Sequence, residues 1–255
     1  MDILEKTGSQ ILKTLEGVGE NLVLMFRGFY WFKQTWKYRA AIIEQMLFCG
    51  VESLPVVLVV ALFSGMVVAL QTGHALAQFQ LEGTLGNVVA ATICREMGPV
   101  FAAIIVAGRV GSGMAAQLGT MKVSEEIDAL EAMSIDPVRY LVMPRLWALL
   151  IMMPIMTVFA DLIGIMGGAV VARLQIQVSY YTFFDGVQSN LELQDIYSGM
   201  VKAVVFGLTI AAVSCQQGLT ATGGARGVGK ATTRSLVFSF LLILLFDYFI
   251  TAFFY

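Results

Sequence analysis

Charge is what this sequence has least of. Asp, Glu, Lys and Arg together make up 13% of its 255 residues, against about 25% in a soluble domain. So few charges cannot clothe a water-facing surface of this size. Lipid is therefore the solvent for most of the chain, and a mean hydropathy of +0.78 agrees. Cysteine and histidine are scarce too. Cys49, Cys94 and Cys215 lie far apart in or beside apolar runs, and His74 is the single histidine. An odd cysteine count with no Cys-x-x-Cys excludes a disulfide framework, and too few ligands remain for zinc or haem. The cysteines read as small buried hydrophobes. No basic tail or Arg-rich stripe points to nucleic acid, and the net charge of −2 says little about partners. Asp2, Glu5 and Glu16 lie among the N-terminal lysines, and no apolar stretch leads to a cleavage site. No signal peptide is expected, so the first spans must direct their own insertion.

What is present is apolar periodicity. In residues 1–29, Leu4, Ile11, Leu15, Val18, Leu22 and Phe26 step by threes, fours and sevens, while Lys6, Lys13, Glu16 and Glu20 fall largely elsewhere on the wheel. This amphipathic helix is too polar to span and is expected to lie in the interface plane. Tyr30, Trp31 and Phe32 suit the headgroup level, with Lys33, Lys37 and Arg39 facing anionic lipid. A second amphipathic piece, about 41–52, leads to Ser53-Leu54-Pro55. Ser53 can cap a helix there, and proline is tolerated in its first turn.

Five apolar runs follow, at about 54–70, 86–119, 146–172, 196–214 and 236–255. About 20 helical residues cross a bilayer core, so each run reads as a span. The second exceeds that need and is expected to bend at Gly98-Pro99 or to project. The predicted fold is all-α: a polytopic membrane protein with an N-terminal interfacial helix and about five transmembrane helices. It divides into interfacial and elbow helices, 1–53, and a transmembrane domain, 54–255. Lys and Arg are missing from 72–85, 174–201 and the C-terminal end, and they collect on the other side. The positive-inside rule then gives a cytoplasmic N-terminus and an outward C-terminus. Arg173 and Lys202 are exceptions near outer span ends, where they are expected to snorkel.

Small residues repeat every four positions at Ala103, Ala107, Gly111, Ala115 and Gly119, and at Gly164, Gly168 and Ala172. Such stripes let helices approach closely; packing within one subunit outweighs a dimer seam as their reading. Besides Lys202, charges inside the runs are Arg95, Glu96, Arg109, Asp161 and Asp247. Intramembrane charges pair, line a cavity, or function. Adjacent residues point about 100° apart on a helix, so Arg95 and Glu96 need not pair with each other. A cluster of either with Asp247 is expected, with a polar clamp and a functional role evenly weighted. Structure is favoured for Asp161 and Arg109.

Between the second and third spans lies Ser124–Met133, with Glu125, Glu126, Asp128 and Glu131 on a segment whose Ile127, Leu130 and Met133 form an apolar stripe. On the wet side of the membrane, such a helix is expected to dock into a soluble partner and to end at Asp136-Pro137. Gly224-Ala-Arg-Gly-Val-Gly229-Lys230-Ala231 imitates a phosphate-binding loop. However, Ala231 replaces the Mg²⁺-binding hydroxyl, and no strand precedes it. It reads as a flexible cytoplasmic basic loop whose Arg226, Lys230 and Arg234 serve topology and lipid headgroups.

Four passages together resemble the MlaE/YrbE permeases, the membrane subunits of Mce-associated lipid ABC transporters. They are Gly50-Val-Glu-Ser-Leu-Pro55; Arg95-Glu-Met-Gly-Pro99 with Ala107-Gly-Arg-Val-Gly-Ser-Gly113; Glu125-Glu-Ile-Asp-Ala-Leu130 through Met133, with Ile135-Asp-Pro137 and Pro144-Arg145; and Gly227-Val-Gly-Lys-Ala-Thr-Thr-Arg234. The resemblance implies a permease that moves phospholipid between the bacterial inner membrane and periplasmic or outer-membrane carriers. It implies no cofactor in this chain, with ATP and Mg²⁺ used by a separate cytoplasmic ATPase. The further partners implied are a second copy, a periplasmic Mce-domain subunit and a small cytoplasmic accessory protein. Ser124–Met133 would be the coupling helix, with Glu125, Glu126, Ile127, Asp128, Leu130, Glu131 and Met133 at the ATPase. By position, Leu70, Gln71, Arg95, Glu96 and Asp247 would line or support a lipid cavity. The chain departs from the family at Thr72-Gly73-His74, where a bulky residue is common. From the residues themselves, Phe63, Met66, Val67, Leu70, Met97, Phe246 and Phe249 could hold acyl chains, and Arg95 a phosphate.

Three other readings compete. A proton-coupled carrier using Glu96, Asp161 and Asp247 would show an inverted repeat, and the five unequal runs show none. An intramembrane hydrolase using Ser112 lacks a base, since His74 falls on the opposite side. A purely structural scaffold is compatible with the sequence.

Overall fold

The computed structural model describes Gly19 and residues 23–28, 30–31 and 35–255. Most of the expected interfacial helix lies outside these residues: Leu4, Ile11, Leu15, Val18 and Leu22 with Lys6, Lys13, Glu16 and Glu20, and likewise Phe32 and Lys33. Residues 23–28 are helical, with Leu24 in the main core and Phe26 exposed.

Seven helical stretches follow: α1 (Arg39–Ala77), α2 (Glu82–Val123), α3 (Glu126–Ala132), α4 (Val138–Leu174), α5 (Tyr180–Asn190), α6 (Leu193–Leu219) and α7 (Gly224–Phe254). No strand occurs among the described residues. The protein is all-α, and five of the helices (α1, α2, α4, α6 and α7) are long and apolar enough to cross a membrane. Short connections make successive spans antiparallel. One end of the bundle therefore holds α3 and the α6–α7 turn; the other holds α5 and the C-terminus.

The second run is one continuous helix. The feature at Gly98-Pro99 is a change of register: Ile93–Met97 is a π turn, in which Gly98 N–H bonds to Ile93 O. Pro99 has no N–H for Arg95 O, and the wider turn absorbs the missing bond. A second π turn lies at Ala107–Gly111.

α1 bends at Glu52-Ser53 after a π turn at Leu47–Val51. Ser53 does not cap the helix that follows. Its backbone is already helical (φ −91, ψ −22), and its hydroxyl instead accepts from Arg109 Nη1 at 2.8 Å. Arg109 Nη2 also reaches Glu52 Oε2 at 3.2 Å, so this arginine fastens the elbow to α2.

α6 is the central helix, with 56% of its most apolar window buried against 28% for α1 and 11% for α7. It packs on α2, α4 and α7, and α1 packs mainly on α4. The small-residue stripes face these neighbours within the chain. Gly111 meets Ser214 and Ile210 of α6, and Gly119 meets Ala221 and Val228. A methyl group on Gly65 would fall 1.9 Å from Gly164 O, so α1 and α4 touch backbone to backbone there.

α5 was not expected from the sequence, which placed no helix between the runs ending at about 172 and starting at about 196. Ser179 Oγ accepts from Thr182 N at 3.1 Å and starts the helix. Phe183 is fully buried in the smaller core beside Leu85 and Val89.

Candidate functional site

Arg95, Glu96 and Asp247 gather at the bundle end away from α3, where α2, α6 and α7 meet. Arg95 and Glu96 share one π turn yet reach different partners, both on α6. Arg95 Nε donates to Asp195 Oδ1 at 2.6 Å, and the guanidinium stacks 4.5 Å from the Tyr255 ring centroid. Tyr255 OH donates to the same Asp195 oxygen at 2.7 Å. Lys202 Nζ, two turns along α6, lies 2.6 Å from Glu96 Oε2 and 2.7 Å from Asp247 Oδ1. Thr251 Oγ1 donates to Glu96 Oε1 at 3.0 Å and completes the join to α7.

Of the two expected groupings with Asp247, the structure forms that of Glu96, with Lys202 at its centre, while Arg95 pairs with Asp195 instead. The sequence reading sent Lys202 to the interface; the structure buries it at 1% exposure between two carboxylates. Asp195 is fully buried and was missed, although Glu192 three residues earlier shows a helix start: the two form a capping box. Asp161 stays outside the cluster. It packs on Gly98, and its Oδ1 has no hydrogen-bond partner. Leu70 packs on the smaller core and Gln71 is exposed; neither enters the ionic network. Of the suggested acyl-chain residues, Phe63, Val67 and Phe249 are exposed, while Met66, Leu70, Met97 and Phe246 are partly buried. The three exposed ones lie on outer faces of the single chain, and the other four pack inward without forming a lipid-sized pocket. An internal cavity beside Ala61, Met97 and Phe101 holds only 10 Å³.

At the other end, α3 corrects the expected docking face. The helix stops at Ala132, short of Asp136-Pro137, because Ser134 takes a left-handed conformation (φ 61). Glu125 (φ 60) turns the chain into the helix. Ile127 is buried in the chain's own main core, and Leu130 packs beside it. The apolar stripe therefore holds α3 to its own protein. What faces outward is Glu125, Glu126, Asp128, Glu131 and Met133. Lys122 Nζ holds Asp128 Oδ1 at 2.6 Å, and Arg27 reaches Asp136 Oδ2 at 3.4 Å just beyond α3.

Arg226, Lys230 and Arg234 do not lie in a flexible loop. Gly223 (φ 90) and Gly224 (φ 68) make the turn in a left-handed conformation that suits glycine. α7 begins immediately, so the three cations occupy its first turns.

The family model described as Permease MlaE matches residues 42–253. The chain belongs to the MlaE permease family. It is 41% identical over 251 residues to a probable ABC transporter permease protein of Rickettsia typhi, covering 98% of this chain and 97% of that one. It is 39% identical over 209 residues to a probable ABC transporter permease protein of Synechocystis, covering 82% and 80%. It is 33% identical over 253 residues to the intermembrane phospholipid transport system permease protein MlaE of Haemophilus influenzae, covering 99% and 97%. The chain is thus an ABC permease of the MlaE family, and a permease of this kind implies an ATPase partner.

Proposed function

We propose that this MlaE-family permease moves phospholipid between the bacterial inner membrane and periplasmic carriers, with ATP and Mg²⁺ used by a separate cytoplasmic ATPase. The observation that carries this reading is the layout of α2. One helix has α3 beyond its last residue and Arg95 and Glu96 near its start. From Glu96 to Val123 is about 40 Å at ~1.5 Å per residue. A push on α3 would travel along α2 to the Lys202 cluster. There it would shift α2 against α6 and α7, with π turns as the points of give.

The ATPase would meet the acidic outer side of α3, with Met133 as the apolar contact. Phe63, Val67 and Phe249 need a second wall to become an acyl-chain cavity, and a second copy of the chain would supply it. Arg95, beside exposed Tyr255, is suited to a lipid phosphate. A periplasmic Mce-domain subunit and a small cytoplasmic accessory protein complete the proposed assembly. The proton-carrier alternative is weakened because Glu96 and Asp247 are already engaged by Lys202.

Gentle purification of the tagged chain from its native membrane, with mass spectrometry of bound proteins and lipids, tests this. Stoichiometric ATPase and phospholipid are expected. A chain that emerges alone, without ATPase, would contradict the reading.

A further inference from the structure

The first turns of α7 carry a concentration of positive charge that no carboxylate among the described residues answers. Arg226, Lys230 and Arg234 pair with no carboxylate among the described residues. No Asp or Glu occurs between Thr220 and Arg234, and Asp247 is the single acid on α7. The spacing of 226, 229–230 and 233–234 puts these residues on one helix face. They line a shallow, largely open groove with Gly229 and Thr233. Gly229 has no atom within 4 Å of its Cβ position, so the space over the helix is clear. Past Arg234 the face continues as Val237, Phe238, Leu241, Leu244 and Leu245, all exposed.

Three cations followed directly by an apolar strip match an amphiphile with an anionic head. A second copy fits this end poorly: a two-fold contact would bring six unpaired cations together. The groove lies at the bundle end that also holds Lys122, Arg139 and Arg145, the end the positive-inside rule assigns to the cytoplasm.

We propose that this groove binds the phosphate of an anionic phospholipid from that leaflet, with an acyl chain lying along Val237, Phe238 and Leu241. The cations lie at the opposite end of α7 from Asp247 and the Lys202 cluster. Lipid binding there is measured without ATP, so it stands or falls separately from the transport reading.

The test uses the full chain with its ATPase in phosphatidylcholine nanodiscs doped with spin-labelled phosphatidylglycerol or spin-labelled phosphatidylcholine. The wild type is expected to immobilise phosphatidylglycerol preferentially, by about fivefold per cation at low salt. The preference should weaken as salt rises. It should be lost in R226Q/K230Q/R234Q and kept in R173Q, a control at the opposite bundle end. Inorganic phosphate should not remove it. Four results would overturn the proposal: no preference in the wild type, full preference in the triple variant, removal by inorganic phosphate, or a triple variant that sheds the ATPase while keeping its lipid preference. The last would assign the groove to the protein partner.

Discussion

Lys202 holds carboxylates from two other helices, at 2.6 Å and 2.7 Å, while almost fully buried. Removing one partner of a buried ion pair leaves an uncompensated charge, at about 3–5 kcal/mol. K202M is therefore expected to lower thermal stability in detergent by that order. K202M/E96Q/D247N, which neutralises all three groups together, should recover most of it. Lipid transfer by the triple variant then separates a clamp from a working site: the proposed role predicts that transfer stays lost after stability returns. R95Q should also destabilise, because it strands fully buried Asp195 with Tyr255 as its remaining side-chain partner. A melting curve checks this. None of these pairings could be read from sequence. Glu96 and Lys202 are 106 residues apart, and whether a lysine near a span end snorkels or is buried depends on the register of helices far away in the chain.

At the scale of elements, apolar length is legible and direction is not. The five long runs became five long helices. α5 escaped notice because it is too short to span and its cap, Ser179, is one residue among many polar ones. The stripe on α3 was visible, but periodicity does not say which side meets its own core. Burial of Ile127 answers that, and it moves the expected ATPase contact to the acidic side. E126K/E131K should thus keep the fold and lose ATPase binding, read by copurification. Loss of fold on this double change would argue against an outward acidic face. At the entrance to α3, Glu125 is left-handed (φ 60). E125G should be neutral or mildly stabilising, whereas E125V should lose about 1–2 kcal/mol, measured by thermal unfolding. Between α1 and α4, G65L would drive a side chain into Gly164 O, and a drop in folded yield is expected.

As a whole, the molecule is lopsided. α6 is enclosed, while α1 and α7 present broad apolar faces, including Val59, Phe63 and Val67 on one and Leu241, Leu244 and Phe249 on the other. Lipid or a second copy must cover them, and the family's transport task gives a use for both. The proposed function joins two remote ends: an acidic helix proposed to receive force, and an ionic cluster where three spans meet. The most direct test is transfer of labelled phospholipid between proteoliposomes holding the assembled transporter and acceptor vesicles, with ATP turnover recorded in parallel. The account predicts ATP-dependent transfer in the wild type, abolished in E126K/E131K although the chain remains folded. Transfer that needs no ATPase, or that follows an imposed proton gradient, would contradict it.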